Sequence, residues 1–176
     1  MQVFYSQLKQ FLTAALETAD AIGCSEEEIT YQERAYDIQF PLAYRLFLIW
    51  CGKTKLSWMN GRDFGLDTLA YSWDSATELL AENQSVLEPN GFVFSEWQGY
   101  NFWYFLQGID NPPVKLCIIQ SDVDPGLQII EYGRFTDWLI NQIKDSIKLK
   151  QSLKRIDVHV PTIWTELDRI AKLVAS

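Results

Sequence analysis

The sequence predicts an α+β domain, helices packed on a mostly antiparallel sheet, and three features carry that expectation. Apolar residues recur at spacings of three and four near both ends of the chain, so helices flank its middle. Between them, residues 92–132 gather β-branched and aromatic residues into short runs punctuated by turn signals, the pattern of strands. The links between those runs are short, which favours an antiparallel meander. With 176 residues, 48% hydrophobic and 14% aromatic, the chain fits one domain with a sizeable core.

The segment around which the rest is organised is 38–52, I-Q-F-P-L-A-Y-R-L-F-L-I-W-C-G. Pro41 suits the first turn of a helix and Gly52 suits its end. Leu42, Leu46, Ile49 and Trp50 line one side, and Tyr44, Phe47, Leu48 and Cys51 another. Arg45 is the one charge, so the helix is expected to be buried on most sides, Leu46 and Phe47 included. Three turns are marginal alone. The covering element is the aromatic run 92–106, with Tyr100, Phe102 and Tyr104 on one strand face and Trp103 and Phe105 on the other.

Taken in order, Phe4, Leu8, Phe11, Leu12, Ala15, Ala19 and Ile22 predict an amphipathic first helix ending at Gly23. Ser25 with Glu28 forms a capping box, and Ile29, Glu33 and Tyr36 continue a second helix that stops before Phe40. After the organising helix, 53–58 reads as a short strand, Asn60-Gly61 as a turn and 66–69 as a returning strand. Trp73, Ala76, Thr77 and Leu80 mark a fourth helix over 73–84. A turn at 88–91 leads to a hairpin of 92–95 and 100–106 with its tip at 96–99. Residues 114–119 and 127–132 are the third and fourth strands, joined by a turn at 122–126. Phe135, Leu139, Ile143 and Ile147 mark a helix over 135–148. A basic link with Lys148, Lys150, Lys154 and Arg155 leads to a last helix from about Pro161, with Ile163, Leu167, Ile170, Ala171 and Val174 on one stripe. The organisation expected is therefore a domain over 1–147 and a helical extension over 148–176 packed on it. A monomer is favoured, and a homodimer through the last helix is the alternative.

Composition bounds the chemistry. Residues 1–143 hold eight basic against nineteen acidic residues, a net −11, while 144–176 carry +3. An acidic body argues against binding a phosphate backbone directly, and no basic residue stands between Arg62 and Lys115 to track one. No apolar run reaches membrane-spanning length and no signal-peptide pattern opens the chain, so the expected location is the cytoplasm. Cys24, Cys51 and Cys117 form no C-x-x-C pair, and an odd number argues against a disulfide framework. A Cys/His hydrolase would need one of them beside His159, the single histidine. Cys51 and Cys117 sit in apolar runs, where cysteine acts as a small hydrophobe. Asp122, Asp124 and Gly126 fit an ordinary turn better than a calcium loop, because the glycine comes one place early and no glutamate closes the pattern. Phosphate-loop, dinucleotide and zinc-protease motifs are absent from the sequence, so no cofactor, metal or catalytic residue is expected.

Two local patterns resemble the SUKH superfamily, the group that joins a fungal cell-wall synthesis regulator to bacterial toxin-immunity proteins. The first is Glu26, Ile29 and Glu33 followed by Ile38, Phe40, Pro41, Tyr44, Phe47 and Leu48. The second is the aromatic strand 98–106, the strand 114–119, and Phe135, Trp138 and Leu139 opening a helix. The likeness spans roughly residues 25–147. Cys51 stands where the family often has Asn, and 148–176 lie beyond its usual end. The resemblance implies a SUKH-like fold and an immunity role, binding and neutralising a cognate toxin, often a nuclease; a scaffold or regulatory module is its alternative. From the residues themselves, the expected docking surface is the hairpin tip, with Trp97 as aromatic anchor beside Glu96 and with Asp63, Asp67, Asp122 and Asp124 as rim charges that would steer a basic protein partner.

Overall fold

Six rings meet around one phenol. Tyr44 lies within 6.5 Å, centroid to centroid, of Phe40, Phe47, Phe92, Phe94, Phe105 and Phe135, and so joins one helix to two strands and to the helix that follows the sheet. A computed structural model of the chain describes residues 1–16, 21–53, 64–119, 126–153 and 160–174. Its elements are α1 (Gln2–Leu16), α2 (Glu26–Ala35), α3 (Leu42–Cys51), a 3-10 turn (Leu66–Thr68), α4 (Leu69–Glu82), β1 (Gly91–Trp97), β2 (Asn101–Leu106), β3 (Pro113–Ile119), β4 (Leu127–Arg134), α5 (Phe135–Ser152) and α6 (Val160–Ala171), the last running into a 3-10 turn at Lys172–Val174. The fold is the expected α+β domain with an antiparallel sheet, in the order β1-β2-β3-β4.

The inner face of the sheet presents Phe92, Phe94, Trp103, Phe105, Val114 and Leu116 to a core completed by α1, α3, α5 and α6. Phe135 and Trp138 of α5 close on Phe94, with ring centroids at 5.4 and 4.9 Å. Ile163, Leu167 and Ile170 of α6 are buried in the same cluster, and α6 packs on α1 and α5. α5 runs on to Ser152, so Lys148 and Lys150 belong to a helix and not to a link, and the expected boundary at 147/148 falls inside it. On the outer face α4 covers β1 and part of β2, burying Ala76 and Leu79 against Val93, Phe102, Tyr104 and Cys117.

The junction of α2 and α3 has a physical basis that spacing alone did not show. The capping box at Ser25 forms: the Glu28 N–H donates to Ser25 Oγ at 3.3 Å and the Ser25 N–H to Glu28 Oε2 at 2.8 Å. Glu33 accepts the Phe40 N–H at 2.8 Å and pairs with Arg45 at 2.5 Å, and Arg45 also pairs with Glu26. These two carboxylates hold Arg45 protonated and tie α2 to the start of α3. At the other end of α3 the chain entering α2 crosses the helix terminus, with Cys24 N–H donating to the Leu48 carbonyl at 2.9 Å and Lys53 N–H to that of Ile22 at 3.0 Å. A Cβ on Gly23 would collide with the Ile49 carbonyl, and one on Gly52 would stand 2.6 Å from Cys24 Sγ. Both glycines serve close approach rather than a helix-ending conformation.

Several local expectations are corrected. Ile22 lies in irregular backbone and is exposed, so the first helix does not continue to Gly23. Pro41 caps α3 in extended backbone (φ −52°, ψ 143°) one residue ahead of its first turn. α3 buries Ala43, Tyr44, Phe47, Leu48, Trp50 and Cys51, yet Leu42 and Ile49 are exposed and Leu46 is half-buried, because nothing described packs across that stripe. Residues 66–69 form a 3-10 turn and the start of α4, not a strand: Thr68 Oγ1 donates to the Gly65 carbonyl and the helix follows at once. α4 faces inward through Leu69, Ser72, Ala76 and Leu79, and Thr77 points out. The strand at 53–58, the Asn60-Gly61 turn and the turn at 122–126 fall on or overlap residues outside those described.

Candidate functional site

The β1-β2 hairpin ends in a turn whose central residues, Gln98 (φ 52°) and Gly99 (φ 73°), both adopt the left-handed region, and the Tyr100 N–H donates to the Trp97 carbonyl at 3.1 Å. The loop of residues 98–100 therefore turns back between the paired Trp97 and Asn101 through two successive left-handed residues. Before the turn β1 carries a bulge between Val93 and Ser95, so that Ser95 pairs with Trp103 and Glu96 with Phe102. The bulge shifts the alternation by one residue and sends Glu96 to the outer face, beneath α4. There the Glu96 carboxylate accepts the Gly99 N–H at 2.9 Å and the Ser75 hydroxyl at 3.5 Å.

Glu96 is therefore not a rim charge. It is 2% exposed, and its carboxylate braces the turn from inside. Trp97, 40% exposed, does stand at the tip. Asp67 is exposed but lies elsewhere: it lines a pocket of about 350 Å³ with Cys24, Glu27, Glu28, Tyr31, Gln32, Lys53 and Leu66, against α2 and away from the hairpin. Asp63, Asp122 and Asp124 fall outside the described residues, as does His159.

What the sequence reading missed is the outer face beyond the reach of α4. Tyr100, Phe102 and Tyr104 share that face with Cys117 and Ile119 of β3 and with Leu127, Ile129 and Glu131 of β4, by strand register. Phe102, Tyr104 and Cys117 are covered, but Tyr100 is 64%, Ile119 41% and Ile129 56% exposed, and Leu127 is half-buried. Tyr100 and Ile119 are held side by side by the Ile119 N–H donating to the Tyr100 carbonyl at 3.4 Å. An apolar patch thus runs from the hairpin tip across β3 to β4. The available signal was Gln128 and Glu131 on either side of Ile129-Ile130, since a strand buried on both faces reads as a near-continuous apolar run.

The surroundings of the patch are acidic. From Phe64 to Val114 every ionisable charge is a carboxylate, and Asp74, Glu78 and Glu82 stand exposed on α4. Lys115 does not offset them, because its ammonium is held by Glu88 at 2.7 Å and faces Glu131 at 3.8 Å. Glu88 also accepts the Tyr104 hydroxyl at 3.1 Å. The Lys115 bond lowers the Glu88 pKa, while burial and this carboxylate raise that of Tyr104.

The three cysteines lie away from solvent. Burial pushes the Cys24 and Cys117 thiols up to about 11, with Glu28 adding to the effect at Cys24, and burial raises Cys51 as well. All three are free, buried thiols, protonated near neutral pH. Among the described residues no three His, Cys, Asp or Glu side chains cluster as a metal site would require, and no helix is long and apolar enough to cross a membrane. An open groove of about 720 Å³ lies between Phe40–Leu42, Arg45 and the 107–110 loop, but its one cation, Arg45, is already engaged by Glu26 and Glu33. Compared with protein-family models and with curated proteins, the chain has no match.

Proposed function

We propose that this chain is a protein-binding module of the SUKH type, acting as an immunity protein that neutralises a toxin inside the producing cell by binding rather than by catalysis. The observation that carries the reading is the apolar patch of Tyr100, Ile119 and Ile129 on the outer face, beside a hairpin tip whose Trp97 is exposed on the other face by register. The patch lies in a sector where Lys115 is paired with Glu88 and the carboxylates of α4 and Glu131 stand in solvent. Exposed aromatic and aliphatic side chains ringed by charge of one sign suit a partner of the opposite sign, because rim charges speed encounter and apolar anchors slow release. The SUKH-like pattern over α2 and α3 supports the immunity role, and the protonated, buried thiols agree with binding in place of thiol chemistry. The partner in this reading is a basic toxin domain, such as a nuclease whose own substrate is anionic, and the setting is the cytoplasm.

The test begins with a toxin-like protein encoded beside this chain. Mixed with the purified chain it should form a one-to-one complex and lose its activity. Trp97→Ala should weaken that complex about tenfold, mainly through faster dissociation. Absence of any complex at micromolar concentration would remove the immunity reading.

A further inference from the structure

Among the described residues β4 is an edge strand with no partner on its outer side. It pairs with β3 alone, and no described residue hydrogen-bonds to its other side. The direction of its free groups follows from the ladder. Because the Ile119 N–H donates to β2, alternate residues of β3 face β2 while Ile118 and Leu116 face β4. Their partners Gln128 and Ile130 therefore point inward, and Leu127, Ile129 and Glu131 direct their backbone N–H and C=O groups outward. The same three residues carry the exposed end of the apolar patch. Natural edges are blunted by proline, charge, a bulge or a covering element; residues 127–130 hold no proline and no charge, while Glu131 and the bulge between Glu131 and Arg134 mark only the end of the strand.

We propose that β4 accepts a basic, extended segment of a partner protein as a fifth antiparallel strand, its alternate apolar side chains continuing the Ile119-Ile129 patch and its Lys or Arg side chains meeting the carboxylates. This rests on the binding-module reading and names the kind of segment that reading requires. Charge selects the occupant. Lys115 is consumed by Glu88, Arg134 is bonded to Asp137 at 3.0 Å, and Glu131 and the α4 carboxylates are left facing solvent. A second copy of this chain, net −8, would set Glu131 opposite Leu127, Ile129 or its own Glu131 in a symmetric pairing through the outward residues of β4, with no unpaired cation among the described residues of the strand to meet it. Strand addition draws affinity from main-chain bonds and specificity from alternate side chains.

A blocked peptide of alternating Lys and Val, added at millimolar concentration to the full chain, provides the test, read by amide hydrogen exchange and NMR shifts. The amides of Leu127, Ile129 and Glu131 should gain protection of about tenfold or more while those of Gln128 and Ile130, already in the ladder, change little. A Glu-Val peptide, or the Lys-Val peptide N-methylated at alternate residues, should give no such alternation. Ile129→Pro, which deletes an outward N–H, should abolish the effect; Glu131→Lys, a surface change that leaves the backbone intact, should weaken it severalfold if the proline variant fails to fold. Shifts confined to Asp74, Glu78 and Glu82 without alternating protection would overturn the proposal, as would protection that rises with protein concentration alone alongside a dimeric sedimentation mass. If a toxin complex forms while the β4 amides stay unprotected in it and with the peptide, strand addition fails and the binding-module reading survives; if no toxin binds, that reading fails independently.

Discussion

The two faces of the sheet are built from similar residues and used differently. On the inner face Phe94 and Phe105 are fully buried, stacked with centroids 5.4 Å apart and closed over by Tyr44, Phe135 and Trp138. On the outer face the cluster under α4 takes in Phe102, Tyr104 and Cys117 but leaves Ile119 and Ile129, farther along β3 and on β4, exposed. The comparison separates two causes of an apolar side chain in a strand: closure of a core, and exposure of a surface whose cover is supplied by something else.

The largest test of the inner face removes a layer of it. Deleting the chain after Lys150 takes away α6 and with it Ile163, Leu167 and Ile170, all buried. At about 1.5–3 kcal/mol for each side chain this costs about 5–9 kcal/mol, comparable with the whole stability of a small domain. The melting temperature of the monomer should fall sharply; loss of a dimer with an unchanged melting temperature would mean that α6 covers a second copy instead.

Next in size is Phe94→Ala, expected to cost about 3–5 kcal/mol in urea unfolding, as is Phe47→Ala, because each leaves a cavity among fixed rings. Leu46→Ala should cost less, about 1–2 kcal/mol, since Leu46 is half-buried on the outer stripe of α3. Equal losses at Leu46 and Phe47 would show that α3 is enclosed on all sides. Smallest is the ion pair at the margin of the outer face. Lys115 holds the folded pKa of Glu88 below its unfolded value, so its contribution is present above about pH 4.3 and fades as pH falls through the lower, folded value. A third of the Glu88 side chain remains in solvent, so Glu88→Gln should cost no more than about 1 kcal/mol near neutral pH, and the gap from the parent should close in acid.

Much of this division was legible in the residues, unevenly. The Ser25-Glu28 box, the hairpin, the meander and the α5 stripe are local patterns, and local patterns survive folding. Glu96 was misread because the first strand was expected to stop at residue 95 with the tip at 96–99, whereas β1 runs on to Trp97 and its bulge turns Glu96 beneath α4. Residues 66–69 were misread because four residues cannot distinguish a strand from the first turn of a helix. The open patch was missed for a different reason. Whether a strand face is covered depends on how far α4 reaches across the sheet, and that is set by packing between distant segments rather than by the strand's own composition.

The central claim is that the outer face of β3-β4 is a surface for a partner and not a weakly packed part of the core. The most direct measurement pairs urea unfolding with partner affinity for Ile129→Ser. The midpoint should stay within about 0.5 kcal/mol of the parent, while affinity for the toxin-like partner falls about tenfold. A loss of stability approaching that of Phe94→Ala, with affinity unchanged, would contradict the claim and place Ile129 in the core.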